Sequence, residues 1–398
     1  MNCIKKLYCR CYQGAFRLIS PLLPYREPKI LKDMEGVKDT LIKNGVTRVM
    51  LVTDKGIRGL GLTKHLEEVL LNAGIKVVVY DGVVQNPTIS CIETGLTIFK
   101  QQSLEAIIAF GGGSVMDCAK IIGARFVCPN KTVKKMKGLL KIRKTLPLFI
   151  AIPTTAGTGS EVTVAAVITD ESTHKKFPIN DFSLISHYAV LDADITVGLP
   201  KNITAWTGLD ALVHAVEAYI GKSTTKLTRS RSEEAVKLIA ENLLLAYEDG
   251  SNKEARQNML RASYCAGVAF TRSYVGYVHA IAHSLGGKYG VQHGLANAII
   301  FPKMLEAYGD SVYVPLSKLA KVIGLADENV VESEACTRFI NWVKDLNAKM
   351  DIPDKVKELR EVDIKDLAKT AEKEANPLYP VPRLFGRKEL EKIYIKLL

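Results

Sequence analysis

Two rhythms of apolar and polar positions divide the chain. Between residues 46 and 194, short aliphatic and β-branched runs alternate with stretches whose apolar positions recur every three or four residues. VTRVMLVTD (46–54), KVVVYDG (76–82), LEAIIAFGGG (104–113), LPLFIAIPTT (146–155), AAVITD (165–170) and YAVLDAD (188–194) read as strands. TKHLEEVLLNAG (63–74) reads as a helix closed by Gly74. Strands that are apolar at consecutive positions are buried on both faces, which predicts a parallel sheet covered by helices. Ligands of such sheets bind beyond the carboxyl ends of the strands. After LDADITVGLP (191–200) the β-runs stop, and helical periodicity follows over 210–220, 231–247, 254–270, 277–286 and on to the end.

A chain of 398 residues also exceeds what one hydrophobic core usually supports. The expectation is an α/β domain over 1–195, including an N-terminal extension of about 1–30, and an all-helical domain over 196–398.

Composition narrows the partners. The net charge of +12 favours anions, and nucleotide phosphates satisfy it as readily as nucleic acid. The basic run KTVKKMKGLLKIRK (131–144) has no interleaved aromatics for base stacking and reads as a solvated face. No apolar run reaches membrane-spanning length, so neither a nucleic acid nor a membrane is an expected partner. The eight cysteines lack a regular framework, which predicts reduced thiols in a cytoplasmic protein. The start, MNCIKKLYCRCYQGAFRLISPLLP, mixes basic and apolar residues without a small-residue cleavage site, and reads as an element packed on the body.

Two loops carry nucleotide-binding chemistry. AFGGGSVMDCAK (109–120) leads from a strand into a helix, where glycines admit an anion to free N–H groups and the positive end of the helix dipole. IPTTAGTGSEVT (152–163) places Thr154, Thr155 and Thr158 beside glycines at a second strand end, where hydroxyls can bond phosphate or ribose. Asp54 closes an earlier strand. A carboxylate there can hold ribose hydroxyls and repel a 2′-phosphate, favouring NAD over NADP; capping the next turn is its alternative role.

A metal site is the third element. In GLDALVHAVEAYIG (208–221), Asp210 and His214 stand at i and i+4 and share a helix face. In VHAIAHSLGGKYGVQHG (278–294), His279 and His283 repeat that spacing, and His293 follows the Gly286–Gly287 break. One carboxylate and up to four imidazoles suit Fe2+ or Zn2+ better than Mg2+ or Ca2+. Spacing alone does not separate His279 from His283. His65, His174 and His187 lie outside these clusters and read as non-catalytic.

Together GGGSVMDCAK, PTTAGTGSEVT, DALVHAVEAYIG and HAIAHSLGGKYGVQHGLANAI resemble the iron-containing, metal-dependent (group III) alcohol dehydrogenases, in the family's order from about residue 30 to 385. The resemblance implies a dinucleotide-binding α/β domain, a helical metal domain of the dehydroquinate synthase-like fold, and an active site in the cleft between them. It assigns the metal to Asp210, His214, His279 and His293, and leaves His283 beside cofactor and substrate as a proton relay. It adds Asn86 to the binding cleft and Gly112, Gly113 and Ser114 to the phosphate loop, with Asp117 closing the helix start. It places Lys176 near the nicotinamide ribose and Phe270 in the substrate pocket.

The implied reaction is reversible hydride transfer between NAD, with NADP second, and a small alcohol, diol or aldehyde whose oxygen sits on Fe2+ or Zn2+. A homodimer or larger oligomer is implied as well. Dehydroquinate-synthase-like lyases are the alternative from another reaction class, with a Glu in place of Asp210 and a cluster of Lys and Arg around the substrate. Glycerol-type polyol dehydrogenases, with three protein ligands, lie closer. A nucleotide-binding module with a structural metal is disfavoured, since such sites prefer thiolates. The N-terminus and EANPLYPVPRLFG (374–386) are less general in the family.

Overall fold

Contacts divide the protein, in a computed structural model that describes every residue except His174, into two units. One is Pro24–Gly198; the other joins Met1–Leu23 to Leu199–Leu398. The chain opens with helix α1 (Cys3–Ile19) and then builds the first unit. Its strands are β1 (Lys29–Leu31), β2 (Arg48–Val52), β3 (Lys76–Tyr80), β4 (Ala106–Gly111), β5 (Gly138–Leu139), β6 (Leu148–Pro153), β7 (Ala165–Asp170), β8 (Lys175–Asn180) and β9 (Tyr188–Val190). Between them run α2 (Met34–Lys43), α3 (Lys55–Gly59), α4 (Lys64–Asn72), α5 (Ile89–Gln101), α6 (Gly113–Val127) and α7 (Val133–Met136).

Six strands form one parallel sheet in the order β1-β9-β6-β4-β2-β3. Successive side chains of a strand point to opposite faces. In β4, Ala106, Ile108 and Phe110 enter one core with Val37 and Leu70, while Ile107 and Ala109 enter the other with Ile92 and Ile122. Two buried faces are why these runs are apolar throughout. AAVITD departs from the expectation of a single sheet. As β7 it pairs antiparallel with β8 in a separate sheet ordered β5-β8-β7. Its burial alternates, with Ala166 and Ile168 inside and Val167 out, as a strand with one solvated face requires.

The second unit contains α8 (Lys201–Ile220), α9 (Lys226–Glu248), α10 (Lys253–Ser273), α11 (Tyr277–Tyr289) and α12 (His293–Tyr308). It ends with α13 (Tyr313–Val322), α14 (Glu332–Lys349), α15 (Ile364–Ala375) and α16 (Arg387–Ile395). From Gly208 to Ile220 every residue of α8 is buried, which marks it as the central helix of its unit. The expected break at Gly286–Gly287 does not occur: α11 runs on to Tyr289 and stops at Gly290, whose φ of 72° ends the helix.

The N-terminal segment, expected with the α/β domain, packs instead in the helical unit. Phe16 meets Tyr274 edge to face at 4.8 Å, and Ser20 Oγ donates to Arg272 O at 3.0 Å. None of the eight cysteines is disulfide-bonded, and among the described residues no helix is long and apolar enough to cross a membrane.

Candidate functional site

In the α/β unit, β3 lies on one side of β2 and β4 on the other, so the chain leaves β2 and β4 in opposite directions. That reversal is where parallel sheets open a ligand crevice. Register pairs Val52 with Ala109 and Gly111 with Pro153, which brings Asp54, the 112–114 turn and Thr154 to one end of the sheet. Thr154 N donates to Gly111 O at 3.2 Å. A Cβ on Gly113 would stand 3.1 Å from Thr158 Cγ2, so glycine lets the two loops close while the first turn of α6 keeps its N–H groups open to an anion.

Asp54 does cap α3: its Oδ1 accepts from Ile57 N at 2.9 Å. Asn86 has φ 58°, and its N–H donates to Ser114 Oγ at 3.3 Å. Its Oδ1 accepts from Lys176 Nζ at 2.6 Å, so Asn86, Ser114 and Lys176 meet although they are far apart in sequence. Burial lowers the Lys176 ammonium. Asp117 sits one turn inside α6 rather than at its start. Its carboxylate accepts from Ser160 Oγ at 3.0 Å and from Val167 N at 2.9 Å, tying α6 to the threonine loop and β7.

Lys120, a turn further along, is wholly buried. It donates to Ser160 Oγ (3.0 Å), Thr163 Oγ1 (2.9 Å), Thr163 O (3.2 Å) and Ala165 O (2.8 Å). Burial lowers its ammonium to about 8 against the pull of Asp117 and Glu161, and burial raises Glu161 to about 7.

In the helical unit, Asp210, His214, His279 and His293 each offer a ligand atom, and the four atoms lie within 4.8 Å of one another. Asp210 Oδ1 is 3.9 Å from His279 Nε2 and 3.5 Å from His293 Nε2; Oδ2 is 4.0 Å from His214 Nδ1. A tetrahedral ion with bonds near 2.1 Å separates its ligands by about 3.4 Å. His279 Nδ1 stands 2.6 Å from Glu217 Oε2. When Glu217 is ionised it only accepts, and Nδ1 then carries the hydrogen while the Nε2 lone pair faces the group. Glu217 also accepts from Gly276 N (2.7 Å) and Val278 N (2.8 Å), bracing the start of α11. Burial pushes Glu217 up to about 8 against these donors. Burial, then the neighbouring histidines, holds His279 well below its ordinary value and keeps it a neutral donor.

Asn297 Nδ2 reaches Asp210 Oδ1 at 2.6 Å, His293 Nε2 at 3.1 Å and His279 Nε2 at 3.3 Å. Three acceptors thus converge on one amide, an excess of lone pairs that a divalent cation satisfies. The residues present fit such an ion. His293 arrives because residue 294 is glycine: a Cβ there would lie 2.3 Å from Trp206 O, so only glycine lets α12 start against α8. Phe270 stacks on His214 with ring centroids 4.1 Å apart. His283 lies outside the group of four. It stacks on His293 at 5.1 Å, and its Nδ1 is 2.6 Å from Glu374 Oε1.

Of the remaining histidines, His65 is exposed on α4, and His187 Nδ1 accepts from Phe149 N at 3.0 Å; His174 lies outside the described residues. Sequence reasoning missed Glu217, Asn297, Lys120 and Glu374. The first three were findable by helical spacing. Glu217 follows His214 by three positions, Asn297 follows His293 by four, and Lys120 follows Asp117 by three. Glu374 reaches His283 from 91 residues away and leaves no local signal.

The family model described as iron-containing alcohol dehydrogenase matches residues 32–193, and that of the Fe-containing alcohol dehydrogenase family, C-terminal, matches 204–398. The chain is 36% identical over 354 residues to 1,3-propanediol dehydrogenase of Citrobacter freundii, covering 88% of this chain and 91% of that protein. It is 35% identical over 339 residues to lactaldehyde reductase of Escherichia coli K12, covering 84% and 88%. Among solved structures, a 1,3-propanediol oxidoreductase superposes with a TM-score of 0.90 at 33% identity, over 94% of this chain and 98% of that one. With both family models matched along nearly its whole length, the chain belongs to the iron-containing alcohol dehydrogenase family.

Proposed function

We propose that the protein is a metal-dependent, NAD(P)-linked alcohol dehydrogenase and aldehyde reductase acting on a small alcohol, diol or aldehyde. The observation that carries this reading is the convergence of Asp210, His214, His279 and His293 within 4.8 Å in a member of this family. These residues would hold Fe2+ or Zn2+, which supplies Lewis acidity to a substrate oxygen. Glu217 keeps the His279 lone pair aimed at the group, and Phe270 gives the substrate an apolar wall. His283 exchanges a proton with the substrate hydroxyl, directly or through water or a ribose hydroxyl.

In the α/β unit, the N-terminal N–H groups of α6 with Gly112, Gly113, Ser114 and Asp117, and the hydroxyls of Thr154, Thr155 and Thr158, form the pyrophosphate and ribose contacts. Asp54 binds the adenosine ribose and selects NAD over NADP. Asn86 and Lys176, already bonded to each other, receive the nicotinamide ribose. A nicotinamide held by these residues would supply hydride transfer to or from the substrate. A cytoplasmic homodimer or larger oligomer, with no nucleic-acid or membrane partner, completes the reading.

The lyase alternative is not retained, because both relatives named above are oxidoreductases. The glycerol-type alternative is disfavoured because Asp210 joins three histidines in one group.

The decisive experiment is anaerobic purification with metal analysis, followed by an NAD(H)-linked screen of short alcohols, diols and aldehydes. One iron or zinc per chain, with activity lost on chelation and restored by the ion, is expected. Full activity without metal overturns the proposal, as does metal and NAD binding without turnover of any substrate tested.

A further inference from the structure

The segment 376–386 contains prolines at 377, 380 and 382. Proline has no N–H, so the carbonyls of such a segment must find donors elsewhere. They find them on α1. Arg10 Nη1 donates to Val381 O at 2.7 Å and Nη2 to Pro382 O at 2.9 Å. Gln13 Nε2 donates to Tyr379 O at 2.7 Å and to Pro377 O at 3.2 Å. Arg10 Nη1 also donates to Gln13 Oε1 at 2.8 Å, so the two side chains act as one comb of donors. Tyr277, on the helix that carries His283, ties the segment's two ends together: it donates to Asn376 Oδ1 at 2.9 Å and accepts from Phe385 N at 3.0 Å.

The segment so fastened presents Tyr379, whose hydroxyl donates to Glu374 Oε1 at 2.8 Å. The same oxygen lies 2.6 Å from His283 Nδ1. Burial opposes ionisation of Glu374, yet His283 and Tyr379 outweigh it and hold the carboxyl below its ordinary value. An ionised carboxylate accepts only, so His283 keeps its hydrogen on Nδ1 and presents Nε2 for proton exchange. α1 lies before residue 32, where the family match begins.

We propose that α1 and the proline segment are a positioning device for the active site, in which Glu374 orients His283, and Arg10 and Gln13 act on Glu374 through Tyr379. This rests on His283 being the proton relay.

The test compares full-length, metal-loaded E374Q, Y379F, H283A and the R10M/Q13A pair with the parent. It reads kcat, KM, bound metal, NAD affinity and melting temperature. E374Q is expected to lower kcat about 10- to 100-fold, the range known for losing the partner that orients a metal-bound histidine and taken here for a histidine beside the metal, with metal content, NAD affinity and KM within twofold of the parent. Y379F, which removes one hydroxyl and keeps the ring packing, is expected to lower kcat several-fold and serves if E374Q fails to fold. R10M/Q13A is expected to lower kcat in the same direction and to add nothing on top of E374Q. Restoring Arg10 as lysine should recover part of the loss. If H283A lowers kcat while E374Q and Y379F leave it unchanged, the positioning role is overturned. Additive effects of R10M/Q13A and E374Q overturn the link through α1. An unchanged kcat in H283A overturns the relay reading itself.

Discussion

Replacing Lys120 with methionine tests how the two nucleotide loops are held. The ammonium is wholly buried and shares its three N–H groups among four acceptors, Ser160 Oγ, Thr163 Oγ1, Thr163 O and Ala165 O. Orphaning a buried acceptor costs about 1–3 kcal/mol, so the bonds alone suggest a large loss. Burial works the other way. It lowers the ammonium from 10.5 to about 8, a penalty of roughly 3 kcal/mol at 1.36 kcal/mol per unit, which Lys120→Met relieves. The balance is a net loss of about 3 kcal/mol, at the lower end of what breaking a buried charge pair costs. At about 2–4 °C per kcal/mol for a unit of this size, the melting temperature should fall by roughly 6–12 °C.

Because Ser160 N donates to Thr158 Oγ1 at 3.3 Å, the loosened loop should also weaken NAD binding about 10-fold, which is about 1.4 kcal/mol. Metal content should not change, since the four ligand residues lie in the other unit. Adding Asp117→Asn should recover part of the stability by removing the carboxylate left opposite the lost charge. Calorimetry with NAD titration decides the matter. A melting shift below about 2 °C refutes the reasoning, and so does loss of metal with NAD affinity intact.

Three further outcomes are expected. His279→Ala or His293→Ala should abolish metal binding and activity together, whereas His283→Ala should keep the metal and lower kcat; metal analysis of the three proteins separates the roles, and metal retained in the first two would overturn the ligand assignment. Asp54→Gly should raise the NADP-to-NAD ratio of kcat/KM at least about 10-fold while losing only about 0.3 kcal/mol of helix capping, since glycine is itself a tolerable N-cap; an unchanged ratio would remove Asp54 from the ribose site. Burial, then Arg26, pushes His187 down to about 4, so below about pH 6.5 the unfolded chain takes up a proton that the folded protein resists. The stability is complete above that pH and falls as the pH drops toward 4, by at most about 3 kcal/mol and less for a side chain still partly exposed. His187→Asn should flatten the decline of melting temperature between pH 7 and 5, and parallel slopes for the two proteins would count against this account.

Much of this architecture was legible because both faces of the main sheet are buried. Continuous apolar runs then betray β2, β4 and β6 and the turns at their carboxyl ends. AAVITD carries the same residue types, but the partner of a strand is not written within the strand, and its antiparallel pairing with β8 was invisible. Asp210, His214 and His279 were legible as candidates because two helices repeat an i, i+4 spacing. What separates His279 from His283 is a long-range partner in each case, Glu217 for one and Glu374 for the other. Spacing on one helix face cannot distinguish residues that differ only in what other elements bring to them. The seat of α1 was illegible for the same reason, since Arg10 and Gln13 bond carbonyls more than 360 positions away.

The seat of α1 also bears on the order of synthesis. α1 is synthesised well before the segment that holds it, 371 residues earlier for the Arg10–Val381 bond. Domains fold as units while the chain is made, at about 5–20 residues per second. Pro24–Gly198 can therefore fold while α1 waits without a partner, an exposed amphipathic helix tethered to a finished neighbour. The helical unit closes only when both segments are present, so a nascent chain stalled before the proline segment would carry a complete α/β unit and an unseated α1.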